Sequence, residues 1–192
     1  NVMKLKRGKF KEEDAWDCLK KISYLNSRMQ AVLEYSAMAQ FNTKEEFMEG
    51  NLFDFIEEYA MNILNRSDRL KVQVVRSDTE GIEMKFVPQN IAIILDNVVS
   101  NSTKYNANEL RVLLGKDEKQ YTIDFIDDGD GVSSDIADLN ELFEFGKGYT
   151  LTGTGVGLYH IKDIVEKDLQ GTVTIESEPQ KGFALHVRFG KV

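Results

Sequence analysis

Between Asn97 and Leu158 the chain holds four short runs whose residue types could act together: NVVSNSTKY from Asn97, DDGDGV from Asp127, LFEFGKG from Leu142 and GTGVGL from Gly153. Asn97, Asn101 and Lys104 stand four and three residues apart, so a helix carries them on one face. An amide oxygen on that face suits a hard Mg²⁺ ion, which keeps several waters and takes its other ligands from phosphate oxygens. The same spacing also describes a plain solvated polar stripe. In DDGDGV, Asp127 closes an alternating segment, and Gly129 and Gly131 let the chain turn tightly past a flat ligand. A calcium loop does not fit: with Gly131 sixth, Ile126 would stand first and Ala137 twelfth, and neither side chain is a ligand. In GTGVGL, the glycines 153, 155 and 157 admit backbone N–H groups and a helix N-terminus close to phosphate. A dinucleotide fingerprint needs a strand directly before its glycines, and a polar segment stands there instead.

The elements that must position these groups can be read from periodicity. From about Glu12 to Gln40 there is no Pro or Gly, and Ala15, Ile22, Met29 and Ser36 form one heptad seam beside Cys18, Leu25, Val32 and Ala39. One long amphipathic helix of about eight turns is expected; Trp16, Leu19 and Leu33 widen its stripe enough that packing on its own domain is an alternative to pairing. Phe47 to Leu52 reads as a short strand. FIEEYAMNIL reads as a helix with Phe55, Ile56, Tyr59, Ile63 and Leu64 inward. LKVQVVRS from Leu70 and GIEMKFV from Gly81 alternate as strands around a turn at Asp78 to Gly81. Pro88 opens the next helix, whose residues Ile91, Leu95, Val98 and Ser102 share a face that packs on a sheet. ELRVLLGK from Glu109 and YTIDFID from Tyr121 are strands around a polar hairpin. Residues 129 to 154 form a long loop, and loops of that length usually serve function. A helix over about 155–168 precedes a final hairpin, GTVTIESE and FALHVRF around PQKG. The pattern predicts an α+β fold, a two-layer sandwich of a mixed sheet covered by helices, preceded by the long amphipathic helix.

Composition sets the outer bounds. A chain of 192 residues, 42% of them hydrophobic, can bury a substantial core, which excludes disorder. No apolar run is long enough to span a bilayer. The single Cys18 cannot form an internal disulfide, in keeping with a cytoplasmic setting. A formal net charge of -8 argues against nucleic acid as partner. Residues 1–11 run against that trend, with five basic residues and no acidic one, and read as a linker or a fragment edge.

Together and in this order, the four motifs resemble the nucleotide-binding signature of the GHKL superfamily, which includes histidine kinases, type II topoisomerases, heat-shock chaperones and mismatch-repair ATPases. The residue choices are most similar to the catalytic domain of a bacterial sensor histidine kinase, and the resemblance covers roughly residues 45–192. It implies a Bergerat-type ATP-binding fold with ATP and Mg²⁺ as cofactors, Asn101 as the Mg²⁺ ligand and Lys104 as a phosphate contact. It further implies that Asp127 accepts a hydrogen bond from the adenine amine, with Tyr105, Gly129, Gly131 and Val132 beside it. Phe143 would anchor a lid over ATP, and Lys147 would reach the γ-phosphate. The usual Pro after Glu in that motif is Phe145 here. Gly153, Thr154, Gly155, Val156, Gly157 and Leu158 would wrap the phosphates. Hydrolysing members carry a general-base Glu one turn before the Mg²⁺-binding Asn; here that position is Asn97, and an amide cannot take a proton at neutral pH.

The resemblance therefore implies a kinase domain that donates the γ-phosphate of Mg-ATP to a histidine absent from this chain, since His160 and His186 sit at positions read as structural. It also implies division into a basic linker (1–11), a dimerisation-type helix (12–42) and the catalytic domain (43–192), with a homodimer through the N-terminal helix and a response-regulator partner. The alternatives are an ATP-gated conformational switch or slow ATPase, and a scaffold that no longer binds nucleotide. The lid, residues 132–154, is expected to exchange its amide hydrogens fastest without nucleotide, because the glycines at 146, 148 and 153 lower its stiffness. Mg-ATP should slow that exchange more than ADP does, and Lys147→Ala should remove the difference. Equal protection in the variant and the parent would take Lys147 off the γ-phosphate.

Overall fold

The structure, a computed structural model, describes residues 47–62, 64, 69–77, 81–116, 119–146 and 155–190. The chain divides into two units. Residues 45–143 with 157–192 form one, and residues 1–44 with 144–156 form the other. The long N-terminal helix, the basic segment before it and the lid positions 147–154 lie outside the described residues.

In chain order the larger unit holds β1 (Met48–Asn51), α1 (Leu52–Asn62), β2 (Lys71–Arg76), β3 (Glu83–Phe86), α2 (Pro88–Lys104), β4 (Glu109–Lys116) and β5 (Gln120–Asp127). A 3₁₀ turn (Leu139–Phe143), α3 (Gly157–Lys167), β6 (Thr172–Ser177) and β7 (Phe183–Gly190) follow. The main sheet has the order β2-β4-β5-β7-β6. β2 runs parallel to β4 and the other pairs are antiparallel, so the sheet is mixed, as expected.

Alternation decides which face is covered. Register aligns Leu110 with Asp127, Val112 with Phe125 and Leu114 with Ile123, and these residues are buried. Leu185, Val187 and Phe189 continue the same face on β7. Against it lie Ile91, Ile94, Leu95 and Val98 of α2, Ile161, Ile164 and Val165 of α3, and Leu52, Phe53 and Ile56 of α1, all in one core. The opposite face of β5 and β7 carries Asp124, His186 and Arg188. His186 Nδ1 lies 2.7 Å from Asp124 Oδ1, and Arg188 pairs with the same oxygen at 2.5 Å. The described residues of the larger unit thus form a two-layer sandwich with their helices on one side of the main sheet. None of their helices is long and apolar enough to cross a membrane.

Periodicity left the partners of β2 and β3 open, and one expectation, the start of the first helix, changes. β2 and β3 do not pair with each other: β2 joins β4, whereas β3 pairs antiparallel with β1 in a separate ribbon. β2 carries Val72 into the main core and finds there a partner in β4 of matching alternation. A short turn between two strands therefore does not oblige them to form a hairpin. The first helix also begins earlier than FIEEYAMNIL, at Leu52. Asn51 Oδ1 accepts the N–H groups of Phe53 (3.1 Å) and Asp54 (3.3 Å), an N-cap that ends β1 and starts α1. Leu52 thereby moves from the expected strand into the core, fully buried. Of the expected inward residues, Ile56 and Leu64 are buried and Phe55 and Tyr59 are partly buried against the core; the side chain of Ile63 lies outside the described residues.

Tyr59 ties α1 to α2, its hydroxyl 3.0 Å from both carboxylate oxygens of Asp96. Burial first, and then the Asp96 carboxylate, push the phenol up from 10.0 to about 12. A folded-state pKa above the unfolded one gives stability that is fully present below pH 10 and is lost as pH rises toward 12. Relative to Tyr59→Phe, the parent should lose stability across that alkaline window in denaturant titrations, with a constant difference at lower pH. Parallel curves from pH 8 to 12 would show that Tyr59 titrates alike folded and unfolded.

Candidate nucleotide site

α2 begins at Pro88, where the missing N–H costs nothing. Its buried stripe is Ile91, Ile94, Leu95, Val98 and Ser102, which holds Asn97, Asn101 and Lys104 half-buried on the adjoining face. The Asn97 carboxamide is fixed by its own helix, its Nδ2 donating to the Ile93 carbonyl at 2.8 Å. That leaves Oδ1 facing the first turn of α3, where a Cβ on Gly157 would come within 2.6 Å of it. Any residue other than glycine there would drive into a side chain that is itself hydrogen-bonded in place. One residue earlier, Asp96 is exposed and held by Tyr59, which turns it away from the Asn97 face. At the end of α2 the Lys104 ammonium sits 5.1 Å from the centroid of the Tyr105 ring, a cation–π contact that keeps the two together.

The helix stops at Tyr105, and Asn106 takes a left-handed conformation (φ 62), which an Asn tolerates better than most residues. The Tyr105 carbonyl then accepts the Asp130 N–H at 2.9 Å, and Asn106 Nδ2 donates to the Asp130 carboxylate at 2.6 Å. This seats the DDGDGV turn against the end of α2. A Cβ on Gly129 would lie 2.6 Å from the Tyr105 carbonyl, and Gly131 has φ +69 with the Glu178 carbonyl 2.2 Å from its would-be Cβ. The two glycines are thus required by backbone approach from two sides. The Val132 N–H donates to Ser177 Oγ at 2.9 Å, which carries the turn onto β6.

Asp127 is the centre of this arrangement. It occupies an inward position on β5, in file with Phe125 and Ile123, and is only 8% exposed. Its Oδ2 accepts the Ser102 hydroxyl at 2.7 Å. Its Oδ1 accepts the N–H groups of Gly129 (3.0 Å) and Phe183 (3.2 Å). The adjacent Asp128 accepts the Asn108 and Glu109 N–H groups at 2.7 and 2.8 Å. The Glu109 contact is the leading cause of the depression of its pKa below 3.8. One carboxylate thus faces the core and the next pins β4.

Phe143 is buried (4% exposed) in the 3₁₀ turn, with the Lys162 ammonium 5.6 Å from its ring centroid; the turn gives structure to part of the expected loop. Leu158 packs on the core. In the smaller unit, the Gly155 carbonyl accepts the Gly146 N–H at 3.0 Å, Gly155 has φ 67, and Val156 is buried. Lys147, Gly153 and Thr154 lie outside the described residues. His160 is buried in α3, and His186 is engaged with Asp124, as their structural reading requires.

Ser102 was expected only to pack on the sheet. Its hydroxyl in a file of Ile, Leu and Val was the available signal, because a buried hydroxyl must find a partner. The Phe183 N–H had no signal in sequence, since only the sheet register brings it to Asp127.

This fold and this turn are those of a known family of ATPase domains. Residues 86–191 match the family described as histidine kinase-, DNA gyrase B- and HSP90-like ATPase, and the chain belongs to that family. It is 27% identical over 172 residues to the sensor protein kinase PilS of Pseudomonas aeruginosa, an alignment covering 86% of this chain and 31% of PilS, so the chain spans about a third of that relative. Among solved structures, the histidine kinase AdeS of Acinetobacter baumannii superposes with a TM-score of 0.60 at 15% identity, over 98% of this chain and 90% of that one. The catalytic domain of the histidine kinase ThkA, in a nucleotide-free form, gives 0.62 at 19% identity over 76% and 96%. The ATP-binding domain of PrrB from Mycobacterium tuberculosis gives 0.58 at 18% over 76% and 98%. At these identities the superpositions establish the shared fold.

Asp127→Ala should weaken ATP binding by roughly 10- to 100-fold, since a hydrogen bond to a charged acceptor contributes about 1.5–3 kcal/mol. Calorimetry should find a much smaller loss for GTP, which lacks the amine at that ring position. Equal losses for the two nucleotides would remove Asp127 from base recognition.

Proposed function

We propose that this chain is the catalytic part of a sensor histidine kinase: it binds Mg-ATP and passes the γ-phosphate to a histidine on a dimerisation helix outside this chain. The observation that carries the reading is Asn97. It stands where a hydrolysing relative places its general base, its carboxamide is tied to the Ile93 carbonyl, and an amide does not accept a proton at neutral pH. The neighbouring carboxylate, Asp96, is engaged by Tyr59. Neither side chain at 96 or 97 is therefore a poised base for water, which supports transfer over hydrolysis.

In this reading Asp127 takes the adenine amine, and Tyr105 with Gly129, Gly131 and Val132 borders the base. Lys104 and Lys147 bind phosphate, Phe143 anchors the lid, and the stretch from Gly153 to Leu158 lies along the phosphates. Asn101, half-buried on the polar face of α2, offers Mg²⁺ a single amide oxygen. A cation that keeps its waters and takes phosphate oxygens needs no more from the protein. When bound, Mg²⁺ neutralises charge on the phosphate oxygens. The reaction itself is an in-line displacement. The acceptor imidazole nitrogen forms the N–P bond as the bond from phosphorus to the β,γ-bridging oxygen breaks, releasing ADP. The chain's part is to orient the triphosphate and withhold a base from water.

The division into a linker (1–11), a dimerisation helix (12–42) and a catalytic domain (43–192) belongs to the same proposal, as do a homodimer, a response-regulator partner and a cytoplasmic location. The test is incubation of the chain with γ-labelled ATP, Mg²⁺ and a separate His-bearing dimerisation helix. Label should appear on that helix in an acid-labile form, and Asn101→Ala should abolish transfer and the Mg²⁺ dependence of binding while the fold persists. Asn97→Glu should raise phosphate release to water by about tenfold or more. ATP binding without transfer to any such helix, and hydrolysis unaffected by Asn97→Glu, would favour a nucleotide-gated switch over a kinase.

A further inference from the structure

We infer that Ser102 is a specificity-positioning residue: with two backbone N–H groups it holds the Asp127 carboxylate in the orientation that it shows to a purine. The inference rests on the reading of Asp127 as the group that meets the base. A carboxylate offers about four acceptor directions, and three are taken inside the fold. Oδ1 receives the Gly129 and Phe183 N–H groups, and Oδ2 receives the Ser102 hydroxyl at 2.7 Å. One direction is left, on Oδ2. Ser102 is 1% exposed and Asp127 8% exposed, so little water competes for these bonds.

The three donors are not equivalent. The two N–H groups belong to the backbone and cannot reverse their polarity, so the Oδ1 position admits only an acceptor. The Ser102 hydroxyl can donate or accept. Preference for a 6-amino purine therefore depends on the charge of one side chain and on a hydroxyl able to follow it. An amide at position 127 would have to place its oxygen on the two N–H groups and its NH₂ at the Oδ2 position. One amide hydrogen would then go to Ser102 Oγ, whose own hydrogen can turn back to the Val98 carbonyl, one helical turn before it. The second hydrogen would point at the ligand. The site would then offer a donor where it had offered an acceptor, and a 6-oxo purine would fit where a 6-amino purine had.

The experiment measures the affinities of the full chain for ATP, inosine triphosphate and purine riboside triphosphate, which lacks any group at ring position 6. The parent should prefer ATP. In Ser102→Ala the ratio of ATP to purine riboside triphosphate affinity should fall about three- to tenfold, less than the loss of a direct bond to the ligand, because the 6-amino group keeps its acceptor on a carboxylate that is less well oriented. The affinity for purine riboside triphosphate itself should stay nearly unchanged, and Ser102→Thr should restore the ratio. Asp127→Asn, which keeps side-chain volume, should bind inosine triphosphate more tightly than ATP; this arm decides the matter if Ser102→Ala proves unfolded by circular dichroism. Equal weakening of all three ligands by Ser102→Ala would mean a merely structural hydroxyl and would overturn the inference, as would Asp127→Asn still favouring ATP. A parent that binds all three alike would instead remove the base-reading role of Asp127, and the inference with it.

Discussion

The buried carboxylate of Asp127 is the constraint around which the rest of this domain is arranged. An ionised group at an inward position of a strand, in file with Phe125 and Ile123, is costly unless its oxygens are occupied. The fold supplies three donors from separate places: a hydroxyl from α2, an N–H from the turn after β5 and an N–H from the start of β7. Each donor fixes the position of its element. α2 must cross the sheet at the height of Ser102, the chain must turn within two residues of Asp127, and β7 must begin beside it. Hydrogen bonds to a charged group contribute about 1.5–3 kcal/mol each, comparable with burying a large apolar side chain. The polar end of the core therefore specifies geometry as firmly as the apolar part.

The division of labour on α2 follows from that placement. One stripe, Ile91 to Ser102, is committed to the sheet, and the polar groups at 97, 101 and 104 sit one step around the helix. Because the apolar stripe is packed, the polar stripe cannot rotate. The end of the helix is equally constrained, since the Tyr105 carbonyl holds the Asp130 N–H and Asn106 holds the Asp130 side chain. The residues proposed for base recognition and for phosphate contact thus belong to one hydrogen-bonded segment, from Asn97 through the turn at Gly131.

Much of this was legible in sequence wherever the signal was local. Alternation marked β4, β5, β6 and β7. The 3.6-residue period with Pro88 marked α2, and the glycines at 129 and 131 marked a tight turn that backbone carbonyls on two sides now account for. What failed was non-local or was masked by a stronger local pattern. Nothing within the two segments says that β2 pairs with β4 and β3 with β1, because the choice is made by partners tens of residues away. Asn51 is a cap, but the run from Phe47 to Leu52 looked extended and concealed it. Ser102 illustrates the same limit at the site. In a helix stripe a serine reads as a small packing residue, and its partner becomes visible only when β5 delivers Asp127 beneath it.

The same logic bears on how one superfold separates transfer from hydrolysis. A general base needs a free lone pair, a suitable pKa and a line to water. At position 97 the amide lacks the pKa, and its side chain is held by the Ile93 carbonyl. At position 96 a carboxylate has the chemistry, but it lies about 100° around the helix and is engaged by a phenol pushed up to about 12. Gly157 adds a steric constraint, because a Cβ there would come within 2.6 Å of Asn97 Oδ1; a bulkier group would displace that amide or the start of α3. Suppression of water attack in this reading needs no dedicated inhibitor. It follows from an amide in place of an acid, a carboxylate tied off by Tyr59, and a glycine that keeps the two helices in contact.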